Sequence, residues 1–326
     1  MLKQLVFAFA VAIALFSAAP AFAQFGEEPA TKGARNDKAL TQKIKVGIIV
    51  TAVGGPIGAM TGTAPVPFDW PEQKVRVDKE DLSPGVQKIE YKILNSGVRQ
   101  MVIHVPSLPA GQEAHALVTF EVTRSSLLPP SDTTIFSIPK KVDKDMGIFL
   151  GPSPYIESRN DKIISLAKET IADKTSDWDK VEAIYDKVRE KITYKEGPLK
   201  GALKALNEGT GDCEEITSLF VAMCRAVNVP ARSVWVYGTN GLDHCYPEFY
   251  LVDGEGKGYW IPCQSAGSRA FGGIPEHRGI LQKGDNFTDP MRPSEKLRYV
   301  SEFVKGLTRK GSGDPKVKFV RELVSE

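Results

Sequence analysis

The chain has 326 residues, with 42 Lys and Arg against 40 Asp and Glu, 42% hydrophobic residues and four cysteines. A formal charge of +2 with 25% charged residues excludes polyanion binding driven by net charge and argues against long disorder. At roughly 150 residues per domain, the length predicts about two domains, each with its own core.

Met1-Leu2-Lys3-Gln4 is a short basic start, and Leu5 to Ala19 is almost wholly apolar. Ala21-Phe22-Ala23 then places small residues at both recognition positions of a signal-peptidase site. Residues 1–23 therefore read as an export signal, with Gln24 as the new N-terminus. The alternative is an uncleaved anchor, for which the apolar run is short of the about 20 residues a spanning helix needs. The expectation is an exported protein, periplasmic or secreted, with no membrane span after signal removal. Its compartment permits disulfides. No long run of like charges appears, so no nucleic-acid partner is expected.

Residues 24–41 are mostly polar and aperiodic, which reads as a flexible leader. Over 42–141 the pattern has period two: Ile89, Tyr91 and Ile93 alternate with polar neighbours, as do Val118, Phe120 and Val122. Met101, Ile103 and Val105 alternate around Val102 and His104. With turn clusters such as Ser83-Pro84-Gly85 between them, these half-buried strands predict an antiparallel β-sandwich.

The period changes near residue 155, and a second domain is expected over 150–270. One helix is expected over Asp161 to Ala172. Ser176 and Asp179 resemble a capping box, followed by Trp178, Val181, Ile184, Tyr185, Val188 and Ile192 at helical spacing. After Gly209-Thr210-Gly211 comes a sharper helical stripe, Ile216, Leu219, Phe220, Met223, Cys224 and Val227, which Pro230 stops. Three strand-like runs follow: Arg232–Tyr237, Cys245–Val252 and Gly258–Pro262, the last two joined by the turn Asp253-Gly254-Glu255-Gly256. Residues 271–326 are a mixed, basic extension without a readable motif.

Chemistry concentrates in Gly211-Asp212-Cys213-Glu214-Glu215, His244 and Trp260-Ile261-Pro262-Cys263-Gln264. Cys213 lies in a first helical turn, beside unpaired N–H groups and the positive end of the dipole. Both favour thiolate, and an imidazolium partner can bring a cysteine to about 3–4. A hairpin centred near residue 254 sets His244 opposite Gln264, on the face expected to receive the Cys213 helix. Nucleophile, base and base-orienter then converge from three segments, the arrangement of nucleophilic acyl transfer. Asp243 is the competing orienter, although adjacent strand residues point to opposite faces. Cys224 reads as core. The cysteines form no paired C-x-x-C units and no metal site is expected.

The runs GDCEEITSLFVAMCRAVNVPARSVWV, HCYPEFYL and GYWIPCQ resemble the transglutaminase-like superfamily over about residues 175–265. The resemblance implies an α+β fold, a papain-like transglutaminase core, here preceded by the antiparallel β-sandwich. It implies Cys213 as nucleophile and His244 as base, with Glu248 and Tyr250 at the family's acidic and aromatic positions. Where the family pattern has aspartate, this chain has Gln264, whose carbonyl can orient His244 without supplying charge. The implied activity is acyl transfer on protein or peptide amide bonds through a thioester on Cys213, by hydrolysis or transamidation, with no cofactor. The alternative is a non-catalytic binding module with a decayed triad.

The same hairpin register sets Cys245 opposite Cys263 on the reverse face. Opposed strand residues have Cβ atoms about 4.5–5.5 Å apart against the about 3.5–4.5 Å of a disulfide. The expectation is a bridge after a local pinch, the alternative being two reduced core cysteines.

Overall fold

The structure, a computed structural model, describes residues 32–238, 244–308 and 313–324. The expected export signal and Asp243 lie outside them.

Strand β1 (Arg35–Thr51) begins inside the stretch expected to be a flexible leader. Its first seven positions are all exposed, so no apolar alternation betrays a strand there. Backbone pairing with β6 (Glu113–Leu128), from Arg35 opposite Leu128 onward, holds it instead. Between them come β2 (Ile57–Val66), β3 (Gln73–Leu82), β4 (Lys88–Leu94) and β5 (Val98–Val105). The inward residues of β1 and β6, among them Ile44, Val46, Ile48, Phe120 and Val122, pack against Met101, Ile103 and Val105 of β5. This is the antiparallel sandwich that period-two burial specifies.

Helix α1 (Lys144–Gly147) is a single turn; α2 (Asp161–Ile171) and α3 (Asp177–Lys191) follow. The Ser176 side chain accepts the N–H of Asp179 and starts α3. A two-residue parallel pair, β7 (Thr193–Tyr194) and β8 (Thr210–Gly211), brackets α4 (Ala202–Glu208). Helix α4 has no side-chain cap, and the sequence carries no start signal for it. The central helix α5 (Cys213–Ala226) leads into β9 (Ala231–Val236), β10 (His244–Val252), β11 (Gly258–Gln264) and β12 (Ala270–Phe271). Helices α2, α3 and α5 share one core with Phe249, Leu251, Ile261 and Cys263 of the sheet.

The C-terminal residues complete both layers. They form β13 (Ile280–Lys283), the hairpin β14 (Phe287–Asp289) and β15 (Arg292–Leu297), then β16 (Phe303–Thr308) and β17 (Lys316–Val324). Strand β13 lies between β9 and β5, so one sheet runs β12-β11-β10-β9-β13-β5-β2-β16, while β17 extends the order β17-β1-β6-β3. A buried Arg225–Asp285 ion pair at 2.8 Å fastens the C-terminal residues to α5. Lys283 Nζ, also buried, bridges Glu72 and Glu248 at 2.6 Å each.

Two hairpin expectations are corrected. Strands β10 and β11 pair with Glu248 opposite Pro262, two residues from the register that a turn centred at 254 sets. The turn extends to Lys257, whose carbonyl accepts the N–H of Asp253. A shift of two preserves faces, so Cys245 and Cys263 stay on one face without being opposed. All four cysteines are free thiols. The helix also packs on the face carrying Cys245 and Cys263, not on that of His244 and Gln264.

Candidate active site

Cys213 is the first residue of α5, and the turn is set by local chemistry. Asp212 is the N-cap: its carboxylate accepts the N–H of Glu214 at 2.8 Å, and Glu215 returns a bond to the Asp212 N–H at 3.2 Å. This reciprocal box satisfies donors that a helix start otherwise leaves open. Gly211 permits it, because a Cβ there would lie 2.5 Å from Cβ of Glu215. The buried Glu215 also accepts the N–H of Lys200 at 2.9 Å, tying the loop before α4 to this turn.

His244 opens β10 at the sheet's end, where its ring reaches the helix start although α5 packs on the other face. Its Nε2 lies 3.2 Å from Oε1 of Gln264. With the amide oxygen as acceptor, Nε2 carries the proton and Nδ1 is left for the thiol. Strand alternation keeps both side chains on one face after the register shift, which is why they meet diagonally. The structure thus brings together the three side chains singled out in the sequence.

The Cys213 thiol is pushed down to about 4. The Cys245 thiol hydrogen bond is the first cause; burial opposes it, and the hydrogen bond and charge of His244 act in the same direction as Cys245. Cys245 itself is fully buried and pushed well up by desolvation, so it stays a protonated donor; its Sγ lies 3.4 Å from the Cys213 carbonyl. Burial raises Cys224 and Cys263 likewise. Burial also lifts the Glu214 carboxyl to about 7, although Arg298 lowers it, and raises Asp212 to about 6.

Further residues support this site that the sequence did not single out. Tyr185 Oη donates to the Gln264 carbonyl at 2.7 Å, and Arg189, one turn later on α3, donates to Ser265 O at 3.0 Å and Gly267 O at 2.7 Å. Thr217 and Ser265 hydroxyls pair at 3.0 Å beneath. Tyr185 and Arg189 stand four apart on one helix face, a spacing that could have flagged them as a pair. Nothing local marks Cys245 or Arg298. Among the described residues no group of three or more His, Cys, Asp or Glu could hold a metal ion.

A cysteine at the start of the central helix, a histidine opening β10 and a hydrogen-bonded side chain closing β11 form a candidate cysteine site on an α+β frame. Residues 164–265 match the model of the transglutaminase-like superfamily. Over 89% of this chain and 92% of the other, the fold is similar to that of a proposed cysteine protease from Cytophaga hutchinsonii, with TM-score 0.60 and 20% identity. The periplasmic domain of TgpA from Pseudomonas aeruginosa is similar at 13% identity and TM-score 0.34, over 71% of each chain. No curated protein matches.

Proposed function

We propose that the chain is an exported cysteine enzyme that transfers an acyl group from a carboxamide or peptide bond of a protein or peptide through a thioester on Cys213. The observation carrying this reading is the Cys213 sulfur, held toward thiolate at a helix start, beside a His244 that Gln264 orients from 3.2 Å. In the first half-reaction the sulfur bonds to the substrate carbonyl carbon, the C–N bond breaks, and His244 gives its proton to the leaving amine. In the second, water or an amine attacks the thioester, His244 takes the attacker's proton, and the sulfur leaves as thiolate. The N–H of Cys213 has no intrahelical acceptor and serves as one oxyanion donor. Neither half-reaction requires a cofactor.

On this reading residues 150–270 are the catalytic domain, and the sandwich over 42–141 with the extension 271–326 is its frame. Removal of 1–23 would leave Gln24 first, which N-terminal sequencing of the exported protein checks. A second reading, a binding module without turnover, is favoured by one observation: Gln264 stands where the family pattern has aspartate. Incubation with a protein mixture, read by mass spectrometry beside Cys213→Ala, separates them. Cleaved peptides made only by the wild type mean hydrolysis, isopeptide cross-links mean transamidation, and no product from either chain means the binding module.

A further inference from the structure

Arg298 belongs to the C-terminal extension, outside the family match, yet it ends at the first turn of α5. Its Nη2 donates to the Glu214 carbonyl at 2.9 Å, and its Nε lies 3.3 Å from Glu214 Oε2. The side chain is only 2% exposed, and Nη1 is buried without a hydrogen-bond partner among the described residues. The guanidinium lies 5.2 Å over the ring of Trp235. Its neighbours hold it there. Tyr299 packs on Trp235 with ring centroids 4.9 Å apart, and the Trp235 indole donates to Gly284 O at 3.2 Å. The buried Gln282 side chain bonds both the N–H and the carbonyl of Val300, at 2.8 and 3.0 Å. A long, entropically expensive side chain is thus clamped beside the candidate nucleophile.

We propose that Arg298 is a positioning residue for Cys213: it fixes the first turn of α5 through the Glu214 carbonyl and holds a permanent cation against that turn, so that the neighbouring sulfur keeps its charge. This inference rests on the reading of Cys213 as nucleophile. The groups interacting with the sulfur are Asp212 and Glu214 from its own turn, Tyr194 from β7, and His244 and Cys245 from β10. Asp212 and Glu214, raised to about 6 and about 7, are protonated where the sulfur titrates, so the fixed cation of Arg298 acts on the sulfur itself. An arginine suits the task because its planar fork reaches a carbonyl and a carboxylate together and never loses its charge.

The test is iodoacetamide labelling of Cys213 in the full chain across pH, read by peptide mass spectrometry, with thermal unfolding alongside. Arg298→Gln keeps a donor for the Glu214 carbonyl and sheds the charge; its labelling midpoint should rise by about one pH unit. Arg298→Lys keeps the charge and should stay near the wild type. If the Gln variant does not fold, Arg298→Met supplies a second uncharged side chain with the same expected rise. A folded, uncharged variant with the wild-type midpoint overturns the proposal and leaves a purely structural brace. A wild-type midpoint near about 8.5 overturns the nucleophile reading with it, so the two failures are distinguishable.

Discussion

Gln264 offers His244 an acceptor but no charge, so on the proposed mechanism it orients the ring while leaving a developing imidazolium to other groups. If orientation is its contribution, Gln264→Ala lowers turnover at least about tenfold, a fraction of the 10²–10⁴ that a positioned base supplies. Gln264→Asp should match or exceed the wild type. Unchanged kinetics in a folded Gln264→Ala protein would remove the residue from the site. Cys245 works on the other partner: as a buried, protonated donor it holds the Cys213 thiol down. Cys245→Ala should raise the labelling midpoint of Cys213, while Cys245→Ser, which keeps a donor, should restore it. At this scale the sequence was legible where chemistry is local. Cys213 is marked by Gly211-Asp212 and a helical stripe, and His244 and Gln264 by their strands. Cys245 and Arg298 act through space from other elements, and neither has a neighbouring pattern to announce it.

Helix α5 begins with a box that is itself titratable. Asp212 is raised to about 6, burial being the first cause, with the Glu214 N–H opposing and Glu215 adding. A carboxyl raised in the folded state binds its proton more tightly there than in the unfolded chain, where its value is about 3.9. Its contribution to stability is therefore greatest below about pH 4 and falls as pH climbs through about 6. Asp212→Asn keeps the cap oxygen. It should flatten the decline of Tm between about pH 4 and 6; an identical slope in both proteins would show that Asp212 does not hold that proton. Helices α2, α3 and α5 were legible as amphipathic stripes, whereas α4 is too short and lacks a side-chain cap. The β10–β11 turn shows how register escapes sequence reading. The Asp253 carboxylate accepts the N–H groups of Glu255 and Lys257, lengthening the turn and sliding the pairing by two. Parity survived the slide, so the His244–Gln264 contact survived with it, while the opposed cysteines did not.

At the scale of the molecule, the sheet beside the site is completed by strands far away in the chain. Strand β13 joins β9 to β5, and its neighbour Asp285 accepts from Arg225 at 2.8 Å, Ser153 at 2.7 Å and the Ser233 N–H at 3.2 Å. Asp285→Ala leaves the buried Arg225 charge unpaired and should cost about 3–5 kcal/mol, measured by urea unfolding. A loss below about 1 kcal/mol would place it among exposed pairs. Residues 271–326 were opaque in sequence because their strands are short, mixed and paired only with distant partners. The β1–β6 sandwich was legible because β5, β6 and the second half of β1 bury apolar residues in one core, although the polar first half of β1 was not. All of this framework converges on one chemical property, the ionisation of Cys213. The most direct measurement is the rate of iodoacetamide labelling at Cys213 in the unmodified chain, followed across pH by peptide mass spectrometry. Half-maximal labelling near about pH 4 is the expected result; a midpoint near about 8.5, that of an ordinary thiol, would contradict it.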